Sequence, residues 1–408
     1  MIRLLLPLLC AALVAGCRVD RARPYDFPTE VSTRDRPVQM QDKRTWAFPE
    51  AGLTFDNEFA AARVNALQRL GRDTFVVSVA PENEPVNPSP WYALRITADD
   101  ARRVTLRLSY PAWARHRYRP KISTDRTNWT PVDTSLVRYG ADSSWVDISL
   151  GLDAGSTYLA GQEIVSSADV RAWAEALLGP DVQLASAGQS KLGRDLPVLT
   201  VARGGQLRKR STIVILSRQH PPEVTGYLAM QAFVERLLAH PERDALLQNY
   251  QLLIFPILNP DGVDLGHWRH TAGGIDANRD WAYYRQPETR QVADYIVAAP
   301  GKVVIGLDFH STWNDVYYTF REPAENEPVP NFKDAWLRGI EAGIGGGFRV
   351  NERAGEVGRP TSSGWFRTQF GAVGITYEIG DDTDRAFVRR KGQVSADALV
   401  EVLLGNDQ

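Results

Sequence analysis

A chain of 408 residues with 47 Lys and Arg against 49 Asp and Glu, 43% hydrophobic and 24% charged, has the composition of a soluble globular protein. Its formal charge of −2 argues against a dedicated nucleic-acid surface, which carries a basic excess. The length favours two domains of roughly 150–200 residues each.

At the N-terminus, Arg3 precedes the apolar run Leu4-Leu5-Leu6-Pro7-Leu8-Leu9, and small residues lead to Val14-Ala15-Gly16-Cys17. A short positive start, an apolar stretch too short to span a bilayer and small residues at its end read as an export signal. A cysteine at that junction resembles a bacterial lipoprotein lipobox. The resemblance implies cleavage before Cys17, a lipid on its sulfur, and a chain that meets the membrane only through that anchor. The bland alternative is a plain secretory signal. Cys10 and Cys17 are the only cysteines, so the mature chain would carry no disulfide and no thiolate nucleophile. Arg18 after the cysteine suggests, by resemblance to sorted lipoproteins, an exported protein at the outer membrane facing the periplasm.

Residues 18–45 are rich in Arg, Asp, Pro and Thr without apolar periodicity and read as a tether. From 46 to 162, short β-branched and aromatic runs such as Thr74–Val79, Trp91–Ile96 and Val104–Ser109 alternate with turns, which predicts an all-β sandwich module. Trp129, after the turn Asp125–Asn128, reads as a core residue rather than a ligand-stacking one. From 163 to 408 the rhythm changes. An amphipathic stretch at Ala168–Leu178 is followed by strand-like runs at Leu196–Val201, Thr212–Leu216 and Leu252–Ile257, with helical spacing from Val224 to Ala239. Buried strands alternating with helices predict an α/β domain with a mixed, mostly parallel sheet covered by helices.

The strand at Thr212–Leu216 runs into Ser217-Arg218-Gln219-His220-Pro221-Pro222-Glu223. This places His220 and Glu223 past a strand's C-terminal end, where open α/β sheets gather their sites. The two prolines forbid a helical His-Glu-x-x-His arrangement. A second apolar strand, Val303–Ser311, carries His310 at its C-terminal edge. Two imidazoles, one carboxylate and an open position make a His₂Glu site for one catalytic Zn²⁺ ion. Asp308, two residues before His310, is placed to orient it. Of the other histidines, His116 between arginines reads as solvated. His240 reads as a helix-end cation. His267 and His270 flank Trp268-Arg269 without an accompanying carboxylate cluster.

With these residues in place, positions about 165–400 resemble the zinc carboxypeptidase family of carboxypeptidases A and B. His220-x-x-Glu223 is similar to its first two ligands. Asn259-Pro260-Asp261-Gly262, Trp268-Arg269, Gly274–Trp281, Pro287-Glu288-Thr289 and Thr376-Tyr377-Glu378 follow in the family's order. The resemblance implies Glu378 as general base, Arg269 on the oxyanion, and Asn278 with Arg279 as a clamp on a substrate's terminal carboxylate. It therefore implies a zinc-dependent metallocarboxypeptidase acting on a peptide or on the peptide stems of cell wall. Pro-Pro between the first ligands and the preceding sandwich are nearer the cytosolic-type branch. The segment Gly358–Trp365, where the family places a substrate-binding tyrosine, offers no clear equivalent. Arg359 and Arg367 are both open as selectors of an acidic side chain. The competing readings are a small-molecule amide deacylase of aspartoacylase type and a catalytically inactive binding lipoprotein.

Overall fold

The computed structural model describes residues 21–27, 31–141, 143–204, 209–325, 327–355 and 358–405. The stretch read as an export signal, residues 1–17 with Cys17, lies outside the described residues. Among the described residues no helix is long and apolar enough to cross a membrane.

Strands between Thr45 and Ala160 pair into two sheets. One holds β1 (Thr45–Phe48), β2 (Leu53–Asp56), β5 (Ala93–Ala98), β11 (Gly155–Ala160), β7 (Lys121–Ser123) and β8 (Thr130–Pro131), in that spatial order. The other holds β3 (Ala66–Arg69), β4 (Thr74–Ser78), β6 (Arg102–Ser109), β10 (Trp145–Leu152) and β9 (Val137–Tyr139). Alternate residues point inward, as period-2 patterning requires. Val104, Leu106 and Leu108 of β6 meet Phe55, Leu94 and Ile96 across a single apolar core. Trp129 packs at the edge of this core, with its Nε1 donating to Arg126 O at 2.9 Å.

His116 is not solvated. It is 7% exposed, stacked on Tyr92, with Nδ1 2.9 Å from the Tyr110 hydroxyl. Its flanking arginines point away while the ring joins an aromatic cluster, and sequence spacing does not show this. Burial lowers its pKa to about 4. The unfolded chain takes up this proton near pH 6.5, and the fold resists until about 4. Between these values the unfolded state binds more protons, so stability falls as pH drops through the window, by up to about 3 kcal/mol. Denaturant unfolding at pH 7 and 4.5 is expected to show this loss in the native chain and much less of it in His116→Phe. An equal loss in both would assign it to other groups.

The remaining strands form one eight-stranded sheet: β12 (Val182–Gln189), β13 (Asp195–Val201), β15 (Tyr250–Phe255), β14 (Ser211–Ser217), β16 (Lys302–Thr312), β19 (Val373–Gly380), β17 (Val316–Thr319) and β18 (Glu352–Ala354). The central β15, β14, β16 and β19 run parallel. Successive residues of β14 serve opposite faces. Ile213 and Ile215 pack under α2 (Val224–Leu238), α6 (Phe332–Ile344) and α8 (Arg385–Gly405). Val214 and Leu216 pack against α5 (Pro287–Ala298) and α7 (Ser362–Phe370). Cover on both faces explains the unbroken apolar runs of these strands.

The segment read as a tether carries no helix or strand before Thr45, yet its described residues lie against the body. Ala22 N donates to Asp294 Oδ1 at 2.8 Å, Gln286 Nε2 to Thr33 O at 3.0 Å, and Arg36 N to Gly273 O at 2.8 Å. Gln41 is buried and bridges the two domains, donating to Ala62 O and Leu265 O. Its polar composition suits this strap, because the backbone and amides of the underlying loops supply the partners.

Candidate metal centre and active-site cleft

Three adjacent strands of the sheet deliver the expected residues to one place. The chain leaves β14 through Arg218, a buried residue with φ 53°, and this left-handed turn redirects it toward His220. Glu223 is the N-cap of α2 and makes no capping bond, so its carboxylate stays turned toward the two histidines. Ser311 caps instead: its Oγ accepts from Gly226 N and Thr225 Oγ1, both at 2.8 Å, and ties α2 to the end of β16. A Cβ on Gly226 would meet His310 O at 2.3 Å. Only glycine lets α2 approach His310 this closely.

His220, Glu223 and His310 are all buried, and one donor atom of each lies within 4.8 Å of the others. Glu223 Oε1 is 2.7 Å from His220 Nδ1, and Oε2 is 2.6 Å from His310 Nδ1. The opposite ring nitrogens are both engaged by carboxylates. His220 Nε2 is 2.9 Å from Asp276 Oδ1, and His310 Nε2 is 2.7 Å from Asp308 Oδ2. Each aspartate anchors its ring at Nε2 and turns Nδ1 inward toward Glu223. Two such nitrogens and one carboxylate are the donor set of a three-ligand zinc site. Burial pushes the Glu223 carboxyl up, but His220 and His310 outweigh it and hold it well below the usual range. Asp308 also accepts from Gln219 Nε2 at 2.5 Å and from the Ser362 hydroxyl, which fixes its own orientation.

Glu378 lies directly opposite His310 in the parallel register of β16 and β19. Its Oε2 is buried without a hydrogen-bond partner among the described residues. Burial and the Glu223 charge push its pKa up to about 7. Arg269 reaches the same spot from the loop after α4 (Pro260–Leu265), with Nε donating to Asp276 Oδ2 at 2.8 Å and Nη1 4.0 Å from Glu223 Oε1. Asn278 Oδ1 accepts from Ser362 N at 2.9 Å, which turns its Nδ2 toward the cleft, 3.4 Å from His310 Nε2. Arg279 follows it on the same turn and lines the same cleft.

The cleft is a cavity of about 300 Å³ lined by the three metal-centre residues, Arg269, Asn278, Arg279 and Glu378. Its wall holds several residues the sequence did not single out. Asn87 and Arg117 enter from the sandwich module. Arg117 is held by Asp381 Oδ2 at 2.7 Å and Ser89 Oγ at 2.9 Å, beneath the exposed Trp313. Tyr318, on β17, also lines the cleft, whereas Gly358–Trp365 contains no tyrosine. Arg359 lines the cleft, whereas Arg367 faces away and donates to Glu322 O and Pro323 O. His267 and His270 do have a carboxylate beside them, Glu82 of the sandwich module, which no spacing within their own segment reveals.

A family profile described as zinc carboxypeptidase matches residues 170–398, more than half of the chain. The chain belongs to the zinc carboxypeptidase family. It is 32% identical over 142 residues to cytosolic carboxypeptidase 2 of Danio rerio, covering 32% of this chain and 20% of that protein. It is 38% identical over 130 residues to cytosolic carboxypeptidase 6 of Mus musculus, covering 30% and 24%. The match thus spans about a fifth to a quarter of these relatives' length. The crystal structure of a metallo-carboxypeptidase from Burkholderia cenocepacia superposes with a TM-score of 0.72 over 87% of this chain and 99% of that one. At 20% identity this is a likeness of fold, and it takes in the sandwich as well as the catalytic domain of this family member.

Proposed function

We propose that this chain is a zinc-dependent metallocarboxypeptidase that hydrolyses the last peptide bond of a substrate with a free C-terminus. The observation that carries this reading is the single cleft in which His220, Glu223 and His310 face Glu378 while Asn278 and Arg279 stand beside them. His220, His310 and Glu223 would hold a zinc ion, which would supply a Lewis acid that acidifies water and polarises the scissile carbonyl. Asp276 and Asp308 hold the two rings so that Nδ1 of each faces inward. Asn278 Nδ2 and the Arg279 guanidinium hold the terminal carboxylate, for which a planar fork is suited. Glu378 accepts a proton from the attacking water on its unpaired Oε2 and returns it to the departing amine. The Arg269 guanidinium faces the carbonyl oxygen as its negative charge develops.

Arg117, Arg269, Arg279 and Arg359 all line this cleft, which favours an acidic substrate, with Arg359 rather than Arg367 placed to meet its side chain. Peptides ending in glutamate, leucine or lysine, each as free acid and as amide, test both points. Free acids are expected to be cleaved and amides spared, glutamate being preferred and the preference reduced in Arg359→Gln. Equal cleavage of acids and amides would remove the clamp. Stem peptides from cell wall belong in the same panel. We also propose export and lipid anchoring through Cys17, supported by the apolar run that precedes it. Fatty-acid labelling that persists in Cys17→Ser would overturn that anchor.

A further inference from the structure

The link between the sandwich and the catalytic loop runs through one buried acid. Glu82 lies between β4 and β5 and is fully buried. Its carboxylate accepts three consecutive backbone N–H groups of the catalytic domain: Oε2 from Trp268 at 2.7 Å, and Oε1 from Arg269 at 3.0 Å and His270 at 2.6 Å. The neighbouring Asn83 adds two contacts. Its Nδ2 donates to Gly274 O at 2.9 Å, and its Oδ1 accepts from His270 Nδ1 at 2.7 Å. The Trp268 ring is itself a core residue of the sandwich, edge-on to Tyr110 and Trp113. The catalytic domain thus pushes a tryptophan into its neighbour, and the neighbour answers with a carboxylate on the backbone around it.

A buried carboxylate is costly unless hydrogen-bonded. Burial pushes the Glu82 carboxyl up, but His267, His270 and the backbone N–H groups together hold it below the usual range. Charge-assisted bonds of this kind are shorter and roughly twice as strong as neutral ones. What they fix is the stretch that carries Arg269. From that backbone the Arg269 side chain reaches across to Asp276, which also holds His220. The guanidinium therefore has two supports, Asp276 at its head and Glu82 at its root.

We propose that Glu82 is a positioning residue for catalysis, holding the Arg269 backbone so that the guanidinium stands ready for the developing oxyanion and making the sandwich part of the active site. The inference rests on the oxyanion role given to Arg269 above. Its physical basis is preorganisation: a charge already in place gains most in a buried site, and a displacement of about 1 Å costs about 10²-fold in rate. Glu82→Gln preserves shape but sets an amide N–H₂ against at least one of the three backbone donors.

The test uses the full-length, zinc-loaded protein and a cleaved C-terminal-acid peptide. It compares Glu82→Gln, Arg269→Ala and the double variant for kcat, KM, zinc content and Tm. Arg269→Ala is expected to lose about 10²- to 10³-fold in kcat. Glu82→Gln is expected to lose about 10- to 100-fold in kcat with KM and zinc content unchanged, and to cost nothing further in the Arg269→Ala background. Full kcat in Glu82→Gln, a lowered Tm as its only effect, or losses that multiply in the double variant would each overturn the inference and leave the Arg269 role standing. Wild-type kcat in Arg269→Ala would remove that role and the Glu82 inference with it. Should Glu82→Gln fail to fold, Asn83→Ala loosens the same loop and is read against Arg269→Ala by the same criteria.

Discussion

Glu378→Gln is expected to keep its fold and its zinc and to lose about 10²- to 10⁴-fold in kcat, the range that a positioned general base contributes. The residue faces His310 across adjacent parallel strands, lines the cleft, and has an Oε2 with no hydrogen-bond partner among the described residues. The metal-free value of about 7 arises from burial and the Glu223 charge, and a bound dication lowers it. The carboxylate is then ionised at neutral pH, as a base must be. As pH falls through its pKa the base becomes protonated, so kcat/KM is expected to drop about tenfold per pH unit on an acidic limb below 7. Retention of more than about a tenth of the native kcat in the zinc-loaded variant would remove Glu378 from this role.

Glu223→Gln is expected to abolish tight zinc binding, and with it activity. Glu223 is the hinge of the centre because each of its oxygens faces one imidazole. An amide there offers one neutral oxygen and an N–H₂ that cannot ligate a cation. The loss should exceed the roughly 10- to 100-fold weakening that changes behind the ligands produce, for which Asp276→Asn is the comparison. Metal content by elemental analysis after dialysis, with chelation and zinc add-back, makes the measurement. Native activity that survives complete chelation would end the metal reading altogether.

The candidate metal donors were legible in the chain because strand ends mark them: an apolar run, then His-Pro-Pro-Glu, and a second apolar run ending in His310. Local order of this kind is written in short segments, since burial on both faces demands unbroken apolar strands and the site sits where they stop. Even the Asp308–His310 pairing needed only two residues of chain. The fold class was legible for the same reason, with period 2 before residue 162 and alternating strands and helices after it.

What the chain could not show are the contacts made across long sequence separations. Glu82 reaches the residue after Trp268, Arg117 reaches Asp381, and Tyr318 lines the cleft from β17, far in sequence from the Gly358–Trp365 segment. His116 looked solvated because its neighbours in sequence are charged, while its neighbours in space are aromatic. The sequence by itself determined which donors could form the candidate centre, because ligand type and strand-end position are local properties. Only the tertiary structure decided which residues wall the cleft and what braces Arg269, because those depend on how a sandwich and a sheet dock, and docking leaves no periodicity in the chain.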